Sequence, residues 1–454
     1  MSDLYISIAQ TDWEVAKSRL LTPDGKENAG VFYCASSKHE KEHRLLVRRF
    51  RAVPQNLYDS RQHYHLQVSP EFYNTVISEC EKDQLAPVIV HSHPHHQDAW
   101  YSKSDDFGES RLLPVLDSLL PGLTPASLVL TPSSVVGRKL RPDGGFVSLT
   151  GMKISGVKSK IINFVKANSP TLSNQYDRQV LAFGLEGQQV IQTLKVAVIG
   201  LGGIGSLVAE QLARLGVNDI TLVDPDRIEV SNVSRVFGTD SKQVGKLKIE
   251  TVGSHIAKLG VARVNLIAAS AIRQEVLLML RDRDIIFCCV DNDSARSILN
   301  RFAHQYLIPV VDHGTRIDAR AAQVRAAAGR VTLFGAGLAC ARCSHHINPE
   351  RIYAESLPTK ERLALEKEGY VVGLTNAVPS VVSMNTVVAG LGVTAALNLF
   401  VDLTGGMQPV DQLYDATSGS VFAASAKHDT TCDICSETTG IKGLGDSQVI
   451  SAYH

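Results

Sequence analysis

Apolar residues recur along the chain in two textures that change near residue 170. Before that point the runs are short. Ile6 to Ile8 reads as a strand, Asp12 to Leu21 has helical spacing, and ENAGVFYCAS (27–36) and HRLLVRRFRAV (43–53) are β-rich. Ser69-Pro70 supplies an N-cap and a first-turn proline, which predicts a helix through Cys80, and the strand APVIVHSH (86–93) follows. These elements predict a compact α+β unit over 1–165. The polar, proline-containing KANSPTLSNQ (166–175) predicts a linker. Beyond it LKVAVIGLGGIGS (194–206) reads as strand, glycine loop and helix, and NDITLVD, RVNLIAA, DIIFCCVD and IPVVDHG continue the alternation. That pattern predicts a mostly parallel, doubly wound α/β domain over 176–454. Residues 404–430 and the tail after Cys435 are rich in Gly, Ser and Thr and predict loop or strand edge. The apolar stretch from Ala377 to Phe400 carries Asn385, Thr386, Thr394, Asn398 and many small residues, which predicts a buried helix pair rather than a membrane span.

Composition narrows this picture. A chain of 454 residues exceeds one ordinary core, in keeping with two domains. Lys plus Arg and Asp plus Glu are both 46, so no basic excess suggests a nucleic acid or an anionic membrane as partner. Met1-Ser2-Asp3-Leu4 has no basic start followed by an apolar run, and a cytoplasmic location is expected. In a reducing compartment Cys340-x-x-Cys343 and Cys432-x-x-Cys435 read as metal ligands before disulfides. Together they can form one closed tetrahedral thiolate site for a structural zinc ion. Cys288 and Cys289 fall within a strand pattern on opposite faces and read as core.

The strand ending in His91 and His93 carries the first candidate chemistry. Residues two apart on a strand share a face, so both imidazoles can reach one ion. Ser102 and Asp105 follow, close enough for one helical turn to present a hydroxyl and a carboxylate together. Two imidazoles and one carboxylate leave zinc an open fourth position, which is the catalytic arrangement. His-Ser-His-Pro followed by Ser-x-x-Asp resembles the JAMM metalloprotease motif of the JAB/MPN deubiquitinase family, whose upstream glutamate is matched by Glu27 in KENAGVFYC before Gly30. The resemblance implies an MPN fold, with His91, His93 and Asp105 as zinc ligands, Glu27 as general base and Ser102 as oxyanion donor. Eight residues, 94 to 101, separate His93 from Ser102, one more than in the commonest form of the motif. Ser104, Asp106 and Asp98 are therefore alternative positions. The bland reading leaves His91 and His93 as surface histidines; His95 and His96 are read as exposed loop residues.

Gly200, Gly202 and Gly205 form G-x-G-x-x-G directly after a strand, and Asp224 closes the next one. Such glycines let backbone amides approach a phosphate at a helix N-terminus, and the carboxylate suits a ribose. Alone this fits a nicotinamide enzyme. Asn232, Arg235 and Lys248 add groups suited to a triphosphate, and Asp291 in CCVDNDSAR falls at a strand end where it could hold magnesium. Over about 170 to 440 this order is similar to the adenylating domain of ubiquitin-activating-type enzymes, including the bacterial activators of sulfur-carrier proteins. The resemblance implies ATP as substrate, Asp224 on the ribose, Asn232, Arg235 and Lys248 on the phosphates, Asp291 on Mg2+, and Arg178 of YDRQVLAFG reaching the ATP of a neighbouring subunit, hence a homodimer. Members that carry a thioester need a cysteine between the two cysteine pairs; from Ser344 to Thr431 there is none, and YVVGLTNAVPSVV (370–382) stands in its place.

Together the readings describe a JAMM (iso)peptidase joined to an adenylyltransferase, both acting on the terminal glycine of a ubiquitin-like protein, with a conjugating enzyme as a possible partner. Three alternatives stand beside this: sulfur-carrier activation for thiocarboxylate formation with a sulfurtransferase, adenylation of a small peptide, and a non-catalytic scaffold.

Overall fold

The computed structural model describes residues 3–165, 173–320, 323–368, 379–406, 409–426 and 428–450. The chain divides into two compact units. The first comprises Met1–Asn168 with Gln305–Leu307 and Lys442–Gln448, and the second comprises Ser169–His304, Ile308–Ile441 and Val449–His454. Two short segments from the later half of the chain thus belong to the first unit. Most of the expected linker, 166–172, lies outside the described residues, as does 370–378 of the segment that stands where a thioester cysteine would be.

In chain order the first unit contains β1 (Asp3–Ala9), α1 (Gln10–Leu20), β2 (Ala29–Lys38), β3 (Glu42–Ala52), β4 (Tyr58–Arg61), β5 (Leu66–Val68) and α2 (Pro70–Asp83). There follow β6 (Ala86–Ser92), α3 (Lys103–Leu119), β7 (Ala126–Leu130), β8 (Val135–Leu140), β9 (Phe146–Ser148), β10 (Gly151–Ser155) and β11 (Lys160–Asn163). Nine strands form one mixed sheet in the order β11-β10-β1-β3-β2-β6-β7-β8-β9. The alternation of β6 divides its side chains between two cores. Val88 and Val90 pack with Ile6, Ile8, Phe32 and Leu45 on one face, whereas Ile89 packs with Val31, Tyr33, Phe72, Leu113 and Leu116 on the other. Helices α2 and α3 bury their apolar stripes on this second face. Ser69 caps α2 as expected, its hydroxyl accepting from the Glu71 amide, with Pro70 in the first turn.

The second unit contains α4 (Asp177–Thr193), β12 (Lys195–Ile199), α5 (Gly203–Leu215), β13 (Asp219–Val223), α6 (Lys248–Lys258), β14 (Arg263–Ile267), α7 (Gln274–Met279), β15 (Ile285–Cys288) and α8 (Asp293–Tyr306). These are followed by β16 (Val310–Arg320), β17 (Gln323–Phe334), α9 (Pro349–Ser356), α10 (Thr359–Lys367), α11 (Val382–Val401), β18 (Asp411–Asp415) and β19 (Ser420–Ala424). The sheet order is β14-β13-β12-β15-β16-β17-β18-β19. It is parallel from β14 to β16 and antiparallel from β16 to β19. Chain order reverses direction at β12, the switch point of a doubly wound sheet. The Gly-rich stretch after residue 404 forms the β18–β19 hairpin at its edge.

The apolar stretch is one helix, α11, and not a pair. It is long and apolar enough to cross a membrane by length and composition. It packs against α5, β16 and β17, burying Asn385, Val388, Ala389, Gly392, Val393 and Ala396. Gly392 is required there: a Cβ would stand 1.8 Å from the His313 Nε2. The strand β15 ends at Cys288, so Cys289 lies past it rather than within it, with its sulfur 3.7 Å from His313 Nδ1.

Candidate functional site

Antiparallel register between β2 and β6 sets Ala29 opposite His91 and Gly30 opposite Val90, which brings Glu27, just before β2, beside His93. Helix α3 lies over the face on which Ile89 and His91 project. Its first turn is closed by a capping box: the Asp105 amide donates to the Ser102 hydroxyl at 3.2 Å, and the Ser102 amide donates to Asp105 Oδ2 at 2.6 Å. The cap therefore fixes Asp105 against the histidines. Its Oδ1 lies 3.1 Å from His91 Nε2 and its Oδ2 lies 3.6 Å from His93 Nε2.

Zinc about 2.0–2.1 Å from each donor would hold such atoms roughly 3.4 Å apart, and the observed distances bracket that value. Two further observations fit the ion. His91 Nε2 is buried with no hydrogen-bond partner of good geometry, and the three ligand atoms lie within 4.8 Å of one another. Glu27 Oε1 stops 4.0 Å from His93 Nε2, beside the cluster without joining it. Burial raises the Glu27 carboxyl to about 7, an effect that His91 opposes and the charge of Asp105 reinforces. Burial likewise lowers His93 to about 4, as a metal-binding neutral imidazole requires. Burial also works against a charged His91, but the adjacent Asp105 carboxylate outweighs it and raises that group.

The alternative positions fall outside this cluster. Asp106 pairs with Arg138, while Ser104 and Asp98 are exposed. The added residue before Ser102 lies in a loop whose His96 is half-buried, its ring 4.2 Å from that of Trp100 and standing edge-on to it. His95 is exposed as expected, but His96 is not, because Trp100 covers it.

In the second unit Cys340 and Cys343 meet Cys432 and Cys435, with sulfurs 3.7 Å apart for Cys340–Cys432 and 3.6 Å for Cys343–Cys435. Tetrahedral zinc with bonds of about 2.3 Å sets sulfurs about 3.8 Å apart, so the four thiols fit that ion. Without the ion the cluster shares protons: a hydrogen bond from Cys435 lowers Cys340 to about 5, and Cys435 rises in turn. Arg342 donates to the Cys432 sulfur at 3.4 Å, offsetting thiolate charge.

The glycine loop leaves β12 at the switch point. Gly200 has φ +85°, which side-chain residues avoid, and a Cβ there would stand 2.7 Å from the Cys289 carbonyl oxygen. A Cβ at Gly205 would lie 1.8 Å from the Gly200 oxygen, whereas Gly202 faces open space. No side chain caps α5 at Gly202, so its first amides remain available to a phosphate. Around this loop Arg235 passes close to Gly203 and donates to the Ser231 carbonyl. Lys248 pairs with Asp226 at 2.8 Å and stands 3.9 Å from Asp224.

Asp224 is buried, and its two oxygens accept from the amides of Leu201 and Asp226. It thus anchors the glycine loop. Asn232 is buried in a short 3-10 turn and bonds the Glu229 amide. Asp291 is exposed past the end of β15, and its carboxylate makes no hydrogen bond or ion pair among the described residues. A free carboxylate at that strand end suits magnesium. Arg178 is exposed in the first turn of α4.

Sequence reading missed the groups that support this end of the sheet. Asp312, fully buried, pairs with Arg296 and Arg330. Glu355 on α9 accepts from the amides of Asp293 and Ser294 at the start of α8. Asn348-Pro349, an N-cap and first-turn proline, would have announced α9.

The ThiF family model matches residues 176–434. The chain is 24% identical over 273 residues to the molybdopterin-synthase adenylyltransferase of Escherichia coli (strain K12), covering 58% of this chain and 96% of that protein. It is 34% identical over 129 residues to the adenylyltransferase and sulfurtransferase uba4 of Emericella nidulans, spanning 28% of this chain and only 27% of that one. It is 41% identical over 86 residues to the tRNA threonylcarbamoyladenosine dehydratase of Bacillus subtilis, 19% of this chain and 34% of that protein. Among solved structures, E. coli MccB with ATP covers 58% of this chain and 75% of its own, at 19% identity and a TM-score of 0.47. The family match does not extend to His91, His93 and Asp105. With a glycine loop at the switch point of its doubly wound sheet and a family match over more than half its length, the chain belongs to the ThiF family.

Proposed function

We propose that the second unit is an ATP-dependent adenylyltransferase that activates the terminal carboxylate of a small sulfur-carrier or ubiquitin-like protein ending in glycine. The observation that carries this reading is the uncapped start of α5 at Gly202, with Arg235 and Lys248 near it and, past the end of β15, an Asp291 whose carboxylate has no partner among the described residues. The amides of α5 hold phosphate oxygens, and Arg235 and Lys248 offset charge as the carboxylate attacks the α-phosphorus and pyrophosphate leaves. Lys248 must exchange Asp226 for the nucleotide. Asp291 would hold magnesium, which supplies positive charge between the phosphates. Arg178 completes the site of a second copy in a homodimer. Relatives named for molybdopterin-synthase adenylylation and for adenylyl and sulfur transfer favour a sulfur carrier over a conjugated modifier.

For the first unit the His91–His93–Asp105 cluster with Glu27 supports a JAMM-type zinc peptidase that trims the same carrier in the cytoplasm. Zinc supplies a polarising charge that makes water nucleophilic near neutral pH. Glu27, beside the residues that would hold the ion, would serve as the proton acceptor. Ser102, accepting from the Asp105 amide, keeps its own hydroxyl proton for Ser104 or for a developing oxyanion.

The test is ATP–pyrophosphate exchange with carriers ending in two glycines, followed by mass spectrometry after adding a sulfurtransferase. Carrier-dependent exchange and a thiocarboxylate product are expected. Asp291→Ala should stop exchange while a carrier extended beyond its glycines is still cleaved. No exchange with any carrier refutes the adenylation reading, and undiminished exchange by Asp291→Ala refutes the magnesium role of Asp291.

A further inference from the structure

Several groups around Asp291 are held by hydrogen bonds, while its own carboxylate has no partner among the described residues. The Val290 carbonyl accepts from Arg296 Nη2 at 3.0 Å, and the Asp291 carbonyl accepts from Arg351 Nη2 at 3.0 Å. Asn292 Oδ1 accepts from the Ala295 amide at 2.8 Å. The next two amides, of Asp293 and Ser294, donate to the Glu355 carboxylate at 2.9 and 2.8 Å, and the Ser294 hydroxyl donates to it at 2.6 Å.

The contact between α8 and α9 is reciprocal. Glu355, from the last turn of α9, satisfies the orphan amides that open α8. Asp293, from the first turn of α8, accepts at 3.0 Å from the amide of Asn348, the cap residue of α9. Arg351 joins the two by donating also to Glu355 Oε1 at 3.2 Å. The start of α8 is thus closed by Glu355 of α9 together with its own Asn292, while α9 is capped by its own Asn348, whose amide is in turn held by Asp293 of α8. A carboxylate at the N-terminus of α8 also complements the helix dipole and occupies the place where an anion could otherwise sit. The triphosphate is left with the amides of α5.

We propose that Glu355 and Arg351 are positioning residues for adenylation: α9 clasps the turn between β15 and α8 so that the Asp291 carboxylate is held ready for the metal–nucleotide complex. This rests on Asp291 being the magnesium ligand. Both residues act by fixing the backbone from which Asp291 projects, and removal of such outer partners commonly costs about 10- to 100-fold in metal affinity.

The test uses the full chain with Glu355→Ala and Arg351→Ala. Mn2+ binding in the presence of a non-hydrolysable ATP analogue is followed by electron paramagnetic resonance, and ATP–pyrophosphate exchange is measured against Mg2+ concentration. Each variant should bind Mn2+ at least about tenfold more weakly and show a matching rise in the Mg2+ concentration for half-maximal exchange. Exchange at saturating Mg2+ should stay within about twofold of the parent, because the residues act through metal placement and not on the reacting atoms. Structural zinc content should be unchanged. Unaltered Mn2+ binding, or a loss of maximal exchange with unaltered Mg2+ dependence, overturns the proposal. Should Glu355→Ala fail to fold, Arg351→Ala, which removes a half-exposed side chain, decides alone. Asp291→Ala separates the two levels. If it binds Mn2+ normally, the reading of Asp291 itself fails; if it does not and the α9 variants do, only the clasp fails.

Discussion

Replacing Glu27 by Gln keeps the size and shape of the side chain and removes only its capacity to take a proton. The cluster it adjoins should survive, since Glu27 Oε1 stands 4.0 Å from His93 Nε2 while Asp105 lies 3.1 Å from His91 and 3.6 Å from His93. Zinc stoichiometry should therefore match the parent. General-base catalysis is worth about 10²- to 10⁴-fold, or about 3–5 kcal/mol in the barrier, and cleavage of an extended carrier should fall by that factor.

The pH profile adds a second check. Burial sets the Glu27 carboxyl at about 7 in the metal-free protein. A bound cation favours the carboxylate and moves the group below that value. Cleavage by the parent should then rise with pH along a limb at or below about pH 7, and the variant should lack that limb. The sign for stability is opposite. A carboxyl raised in the folded state binds its proton more tightly than in the unfolded chain, so the metal-free protein loses stability as pH climbs from the ordinary carboxyl range through about 7. Glu27→Gln should accordingly resist urea better than the parent above that range when zinc is removed. The assay set is zinc by mass spectrometry, cleavage against pH, and urea denaturation after chelation. Cleavage at parental rate with zinc bound would refute the role of Glu27, and loss of zinc would refute the geometry.

Three further outcomes follow from the second unit. Cys432→Ser should remove one zinc per chain and lower the melting temperature, because the thiolate cluster binds metal only in the folded state; a full zinc complement would exclude Cys432 as a ligand. Asp312→Asn leaves Arg296 and Arg330 facing a neutral amide in the interior and should cost about 3–5 kcal/mol in urea unfolding. A loss below about 1 kcal/mol would show that the pair is not desolvated as described. Gly205→Ala would press a methyl to 1.8 Å from the Gly200 oxygen, and the displaced loop should weaken binding of an ATP analogue at least about tenfold by calorimetry, at a stability cost of about 1–3 kcal/mol.

What the sequence determined by itself was local. A period of two placed His91 and His93 on one face, and Ser69-Pro70 opened α2. Glycines after a strand marked the turn into α5. Each is a relation between residues a few positions apart, fixed by backbone geometry. Ser102 and Asp105 were legible for the same reason, as one turn of helix.

Tertiary structure decided everything that depends on which face meets which. Only the packing of α3 on the second face of the first sheet brings Asp105 to His91 and His93. Cys340 and Cys432 stand 92 positions apart in the chain, and the sheet's antiparallel half closes that gap. Asp224, read from the sequence as a candidate ribose ligand, holds the glycine loop through the Leu201 amide. The clasp of Glu355 and Arg351 on the Asp291 turn left no pattern, because a hydrogen bond between helix ends depends on their docking and not on spacing. The apolar stretch ending at Phe400 proved a single helix with one buried face, on which Gly392 fits against His313 of β16, a match that hydropathy alone does not contain.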